Sequence, residues 1–407
     1  MVLDSSGLNE VKTFVDADLI VLNSCSVRKQ AEDKIAGWGI KGKKLKKKFL
    51  LTGCMAVRHD RKEGGLLEKH TRYINRKYPW LDYVVDITEI EKIPEILGLK
   101  KDKKVFQKDY LNILPQYTSN IIANIPISTG CDFFCSYCIV PFSRGKLLQR
   151  EYSEIIREVN LSLENGVKLI CLVAQNVNSW IGMKDGKKIG FAELLEDIAQ
   201  IDGDFWITFV SSNPMDFSEK VIQVISANPK IMRWINIALQ SGSDDVLRRM
   251  NRRYTKSEFE NLMSRIKKDI PDARLTTDII VGFPGESESD FQKTVDIIKK
   301  IEFEMLYIGK YSPRKLAASS LLEDDVSLIE KKRREEILKV ELNKMRDVFH
   351  KDLIGKKMRI LVTGGRRGLS YFYHEVLFEE NVKKEAIGTF VDAIVTKSSL
   401  SGLVAKV

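Results

Sequence analysis

Most of the chemistry open to this sequence lies in six cysteines: Cys25, Cys54, Cys131, Cys135, Cys138 and Cys171. Three of them crowd into Cys131-Asp-Phe-Phe-Cys135-Ser-Tyr-Cys138. That C-x3-C-x2-C spacing puts three thiolates on one tight loop. A structural zinc site draws four ligands from paired CxxC motifs or His. None of the four histidines (His59, His70, His350, His374) is close in sequence. A cubane iron–sulfur cluster accepts thiolates at such spacings. Three thiolates for four irons leave one iron an open position where a substrate can chelate. Phe134 and Tyr137 would limit solvent there and tune the potential. The alternatives are a closed zinc knuckle or an inert buried thiol group.

Other motifs offer polar groups at the ends of expected strands. Gly282-Phe-Pro-Gly285-Glu286 permits a tight turn whose backbone could approach a nucleoside, or is an ordinary strand–helix turn. Gln240, Ser241 and Ser243 would hydrogen-bond a cofactor, or Ser243 would cap a helix with Asp245 in its first turn. Asn176 and Asn178 offer a cofactor contact or a simple turn. Asp278 falls inside an apolar strand, where a lone acid needs a partner, so a barrel-lumen site is expected. Cys171, mid-strand in Leu-Ile-Cys-Leu-Val, is expected to be a small core residue.

The elements that must position these groups follow a strand–helix rhythm. Asp18–Asn23, Lys48–Thr52 and Asp82–Asp86 read as strands of a parallel sheet in an α/β fold. Cys25 and Cys54 each follow a strand, so both should lie at its carboxyl edge, where ligands gather. Lys41–Lys48 is a basic run, read as a solvated face or a polyanion contact. Lys100–Leu114 reads as a linker. Six further strands, from Ala123–Ser128 to Met305–Lys310, alternate with helices such as Tyr152–Asn165 and Glu288–Ile301. They suggest a partial β/α barrel with active residues at the strands' carboxyl ends. Asp325–Val348 is a long charged helix. Lys357–Thr363, Tyr371–Phe378 and Gly388–Val395 alternate in twos, as in a small antiparallel β-barrel.

Composition narrows the class. The 407 residues, 43% hydrophobic and 30% charged, can bury a core. No apolar run nears the ~18 residues of a membrane span. Sparse cysteines without a secretory signal layout point to a cytoplasmic protein. A net charge of +10 suits a polyanionic partner.

These residues carry a resemblance. Gly130–Lys146, Ala174–Trp180, Ser211–Phe217, Gln240–Thr255, Thr277–Phe291 and Lys310–Arg314 resemble the radical S-adenosylmethionine methylthiotransferases. Asn23–Lys34 and Gly53–Ala56 resemble that family's N-terminal domain, and the C-terminal barrel its TRAM domain. The resemblance covers nearly the whole chain and is closest to the tRNA-modifying branch acting on isopentenylated adenosine beside the anticodon. It implies an N-terminal parallel-sheet α/β domain (1–110), a partial (β/α)6 TIM-like barrel (117–345) and a TRAM barrel (346–407).

It also implies roles. Cys131, Cys135 and Cys138 would hold a [4Fe–4S] cluster that binds and cleaves S-adenosyl-L-methionine. Asn176, Gln240, Ser241, Ser243, Asp278, Gly282 and Gly285 would surround that cofactor. A second, auxiliary [4Fe–4S] cluster would take Cys25 and Cys54 and supply the sulfur. Implied partners are tRNA and an electron donor such as flavodoxin or ferredoxin, with the chain acting as a monomer.

Two departures stand out. The family's first auxiliary ligand lies in a turn that would precede Met1, so the ligand set is incomplete here. Either the sequence starts late or the full site has been lost. Lys315-Leu-Ala-Ala-Ser319 replaces a Pro-Gly-Thr-Pro-Ala segment. The alternatives are a methylthiotransferase acting on ribosomal protein S12 or on threonylcarbamoyladenosine in tRNA, or an RNA-binding iron–sulfur protein inactive in sulfur transfer. Lys41–Lys48, Arg248, Arg249, Arg252, Arg253, Arg366 and Arg367 would face RNA phosphates. Tyr371–His374 would offer bases a stacking face, or fill the barrel core.

Overall fold

Apolar β-branched runs punctuated by Gly and charged helices give the parallel α/β layers that the sequence calls for. The computed structural model describes residues 2–26, 29–60, 65–99, 110–113 and 121–407. The expected linker Lys100–Leu114 falls largely outside them; Tyr110–Asn112 forms a short 3-10 turn. Contacts group the chain into two units. One holds Met1–Gln116, Ser128–Arg150 and Ser312–Ser320; the other holds Tyr117–Ile127, Glu151–Tyr311 and Leu321–Val407.

In the first unit β1 (Leu19–Ser24), β2 (Lys48–Gly53) and β3 (Tyr83–Val84) form a parallel sheet in that order. Helices α1 (Lys29–Leu45) and α2 (Glu68–Lys77) accompany it. β2 is buried from Phe49 to Gly53. Phe49 and Leu51 pack with Ile20, Leu22 and Ile74, while Leu50 packs with Val85 and Ile93. Both faces are covered, as a central parallel strand requires. The Lys41–Lys48 run spans the end of α1 and the turn into β2.

In the second unit six parallel strands follow chain order: β4 (Ile122–Pro126), β5 (Leu169–Val173), β6 (Trp206–Phe209), β7 (Trp234–Asn236), β8 (Arg274–Val281) and β9 (Met305–Lys310). They form two three-stranded sheets, and parallel bridges Ile207–Ile231 and Ser212–Ile237 join β6 to the β7 segment. Each expected strand is present within a residue or two. Helix α3 (Lys256–Asp269) opens on a capping box of Thr255 and Glu258, and α4 (Glu288–Ile301) on one of Ser287 and Asp290. No helix among the described residues is long and apolar enough to cross a membrane.

The long helix, α5 (Leu328–Asp352), leads to a closed five-stranded barrel. Its strands are β10 (Lys357–Gly364), β11 (Arg367–Ser370), β12 (Glu375–Phe378), β13 (Phe390–Ser399) and β14 (Gly402–Lys406). It is not wholly antiparallel, because β12 pairs with β14 in parallel. The expected strand Tyr371–Phe378 is also wrong in part. Tyr371–His374 is the turn between β11 and β12, with Tyr373 at φ +63°.

Two rings of that turn pack against tryptophans of the same unit. Tyr371 packs edge-on against Trp206 at 5.5 Å, and Tyr373 stacks on Trp234 at 5.9 Å. His374 pairs with buried Glu304. Alternation of apolar residues suggested a strand; the aromatics instead seat the small barrel on the ends of β6 and β7. Several expected RNA-facing arginines are likewise engaged. Arg249 donates to the Gly285 carbonyl at 3.0 Å, Arg252 to that of Ala238 at 3.1 Å and Arg366 to that of Glu379 at 2.9 Å.

Candidate functional site

In the first unit, sheet register assembles one pair of thiols. Ser24 of β1 lies beside Gly53 of β2, so Cys25 and Cys54 leave the carboxyl edge together. The Cys54 N–H donates to the Ser24 carbonyl at 2.9 Å. Cys25 is exposed and Cys54 buried. Two guanidinium groups serve this edge. Arg144 Nε donates to Cys54 Sγ at 3.0 Å. Arg58 donates to the Cys54 carbonyl, to the Val57 carbonyl at 2.9 Å and to Ser26 Oγ at 3.0 Å. Burial pulls the Arg58 pKa below its ordinary value. Fixed cations beside thiolates favour an anionic iron–sulfur centre. Beyond this edge, half-buried His59 has its Nε2 3.2 Å from Asp86.

The second thiol set is local. Strands Ser128–Thr129 and Leu148–Gln149 pair and close the base of a loop that carries Cys131, Cys135 and Cys138. The Cys138 N–H donates to the Cys135 carbonyl at 3.0 Å, and the Ser319 N–H to that of Ser136 at 2.8 Å. All three cysteines are half-exposed and none is in a disulfide. Three half-exposed cysteines on a pinned loop fit a cubane with one iron left for a ligand. On this loop Phe134 is 45% exposed and Tyr137 half-buried.

In the second unit the expected polar residues gather at the strands' carboxyl ends. Asn176 follows β5, is buried, and donates to Asp216 at 2.9 Å. Its Oδ1, with Gln175 Oε1 and Ser212 Oγ after β6, is buried without a hydrogen-bond partner. Orphaned acceptors and donors at one edge fit a polar ligand. Gln240 sits at φ +69°, a strained conformation of the kind functional sites hold. Its N–H donates to the Asp278 carbonyl at 2.7 Å. Asp278 is half-buried in β8 and accepts from Asn236 at 3.3 Å, which supplies the partner a lone acid needs.

Ser241 and Ser243 are buried, and Ser243 Oγ donates to Asp290 at 2.6 Å rather than capping its helix. Gly282 and Gly285 adopt φ of +70° and +73°. A Cβ there would strike the side chains of Lys331 and Arg249. The turn itself thus explains both glycines, with Glu286 accepting from the Gly282 N–H and pairing with Arg334 at 2.6 Å.

Comparison with known proteins settles the family. The Radical SAM superfamily profile matches residues 125–298, and that of "Uncharacterized protein family UPF0004" matches 1–72. A tRNA-2-methylthio-N(6)-dimethylallyladenosine synthase of Fervidobacterium nodosum is 34% identical over 98% of this chain and 93% of its own length. The corresponding synthase of Endomicrobium trichonymphae is 31% identical over 99% and 94%. The chain belongs to this synthase family. Among solved structures, the radical S-adenosylmethionine methyltransferase TsrM of Kitasatospora setae is 14% identical over 72% of this chain and 64% of its own, with a TM-score of 0.45. The family's cofactors are [4Fe–4S] clusters and S-adenosylmethionine.

Sequence reading missed Arg144 and Arg58. Nothing in their spacing sets them apart from other basic residues; only the fold brings them to Cys54.

Proposed function

We propose that this chain is a tRNA methylthiotransferase converting N6-dimethylallyladenosine to its 2-methylthio derivative. The observation that carries the reading is near-full-length kinship with such synthases in a chain that carries Cys131, Cys135 and Cys138 on one loop and Cys25 and Cys54 at one sheet edge. Cys131, Cys135 and Cys138 hold the cluster that takes S-adenosylmethionine, and Cys25 and Cys54 are ligands of the auxiliary cluster. When bound, these groups supply one-electron cleavage of the sulfonium, hydrogen abstraction and sulfur for the adenine ring.

The chain's own residues orient and neutralise. Arg144 and Arg58 offset thiolate charge at Cys54. Asn176, Gln240, Ser241, Ser243 and Asp278 supply polar groups to the cofactor's amino acid and ribose. The finer organisation follows the family: residues 1–110, a (β/α)6 barrel over 117–345 and a TRAM barrel over 346–407. Partners are tRNA and a flavodoxin- or ferredoxin-like donor, met in the cytoplasm by a monomer.

A second reading rests on there being two thiols, Cys25 and Cys54, at the auxiliary edge. In it the chain binds RNA and cleaves S-adenosylmethionine without transferring sulfur. Iron and sulfide counts after anaerobic reconstitution separate the two. About eight irons per chain, a cubane at each site, with 2-methylthio nucleoside in digested tRNA, supports the first. About four irons with cleavage alone supports the second.

A further inference from the structure

Three side chains outside both thiol sets converge within the second unit. Glu304 stands just before β9, at the opposite end from the residues placed around the cofactor. His350 lies in the last turn of α5, and His374 in the turn that leads into β12. Their side chains are 1, 1 and 3% exposed. One ligating atom from each lies within 4.8 Å of the other two. Glu304 Oε1 faces both imidazoles: it contacts His374 Nε2, and His350 Nε2 lies at 3.5 Å. The two rings meet edge to face, their centres 4.9 Å apart.

A hydrogen bond fixes which way His350 is used. Its Nδ1 lies 2.7 Å from the Ser399 carbonyl in β13. A carbonyl only accepts, so Nδ1 carries the proton and Nε2 of the neutral ring is a lone pair. That Nε2 is buried without a hydrogen-bond partner and faces a carboxylate oxygen. Two buried acceptors facing each other repel unless a cation lies between them. A far ring nitrogen donating to a backbone carbonyl is also how metal-ligating histidines are held. The second oxygen of Glu304 is engaged from outside, by Arg274 Nε at 3.4 Å. The Arg274 guanidinium is itself held over the rings of Phe349 and Phe372, at 4.9 and 5.2 Å. Burial pulls the His374 pKa below its ordinary value, which keeps that ring neutral, as a ligand must be. Two imidazoles and one carboxylate suit zinc, whereas magnesium and calcium take oxygen ligands. No substrate reaches a site this buried, so an ion there would be structural.

We propose that Glu304, His350 and His374 bind a zinc ion that clasps the small barrel to β9 and α5. The proposal stands apart from the tRNA reading. The test is metal analysis of the full chain made in zinc-replete and zinc-depleted medium, each then reconstituted with iron and sulfide so that the thiols are occupied. Wild type from replete medium should hold about one zinc per chain. It should also melt at a higher temperature than wild type from depleted medium, because an ion bound only to the folded state stabilises it. Glu304→Gln, His350→Gln and His374→Gln should lose the zinc, keep iron and sulfide, and melt alike from either medium. The wild-type comparison decides even where a variant fails to fold. Wild type without zinc, melting alike from both media, would overturn the proposal and leave a proton between His350 and Glu304. Zinc retained in all three variants would place the ion elsewhere and overturn it as well.

Discussion

The two thiol sets are built by opposite means. Cys131, Cys135 and Cys138 are close in space because they are close in the chain, on a loop pinned by one short pair of strands. Cys25 and Cys54 meet because two parallel strands pair in register, and a guanidinium from beyond the Cys138 loop then reaches the second sulfur. A local site depends on its own spacing. An assembled site depends on a sheet, a register and a distant cation. The two should therefore fail differently.

Serine at Cys131, Cys135 or Cys138 should have the largest effect. Each removes a ligand, so S-adenosylmethionine cleavage should fall to background, a greater loss than the roughly 10–100-fold that follows removal of a group outside the ligand set. Cleavage surviving in any of the three would break the assignment of the loop. Cys25→Ser and Cys54→Ser should spare cleavage but abolish 2-methylthio product, and the iron count should drop toward about four per chain. If these variants lose cleavage as well, the sets are not independent.

Arg144→Gln should fall between. A charge-assisted hydrogen bond to a ligand sulfur stabilises the reduced, more negative centre, so its loss should move the auxiliary midpoint to lower potential. Product formation should drop about tenfold or more. An EPR-monitored redox titration reads the shift directly. Arg144→Lys keeps the charge and should recover part of it. An unchanged midpoint in Arg144→Gln would reduce the contact at Cys54 Sγ to packing.

Sequence made the local set legible and the assembled one only half so. Strand–helix rhythm was enough to place Cys25 and Cys54 at one sheet edge, and the six strands of the second unit lie close to where alternation put them. Arg144 and Arg58 stayed invisible, because a salt bridge or hydrogen bond across the fold leaves no periodic trace. Tyr371–His374 misled for a physical reason. Aromatics in twos fit a strand, but Tyr373 takes a positive φ that ends β11, and its ring is spent on Trp234. Gly282 and Gly285 looked like a nucleoside cradle, whereas Lys331 and Arg249 already fill the space a Cβ would take.

The sixth cysteine sharpens the contrast between the thiol sets from outside both. Cys171 is central in β5, paired beside Asn124 and Thr208, and buried. Burial pushes its thiol from near 9 up to about 12. It should therefore stay protonated and resist alkylation at pH 8 while the half-exposed loop cysteines of the apo protein react. The raised value also has a stability consequence. Above pH 9 the unfolded thiol loses its proton while the folded one keeps it, so stability falls as pH rises from about 9 towards 12. Cys171→Ala should leave iron and sulfide counts unchanged and cost about 1 kcal/mol for the lost sulfur. It should also flatten that alkaline decline in urea titrations. Iron lost from Cys171→Ala, or a decline of undiminished slope, would remove the distinction between a core thiol and the five proposed as cluster ligands.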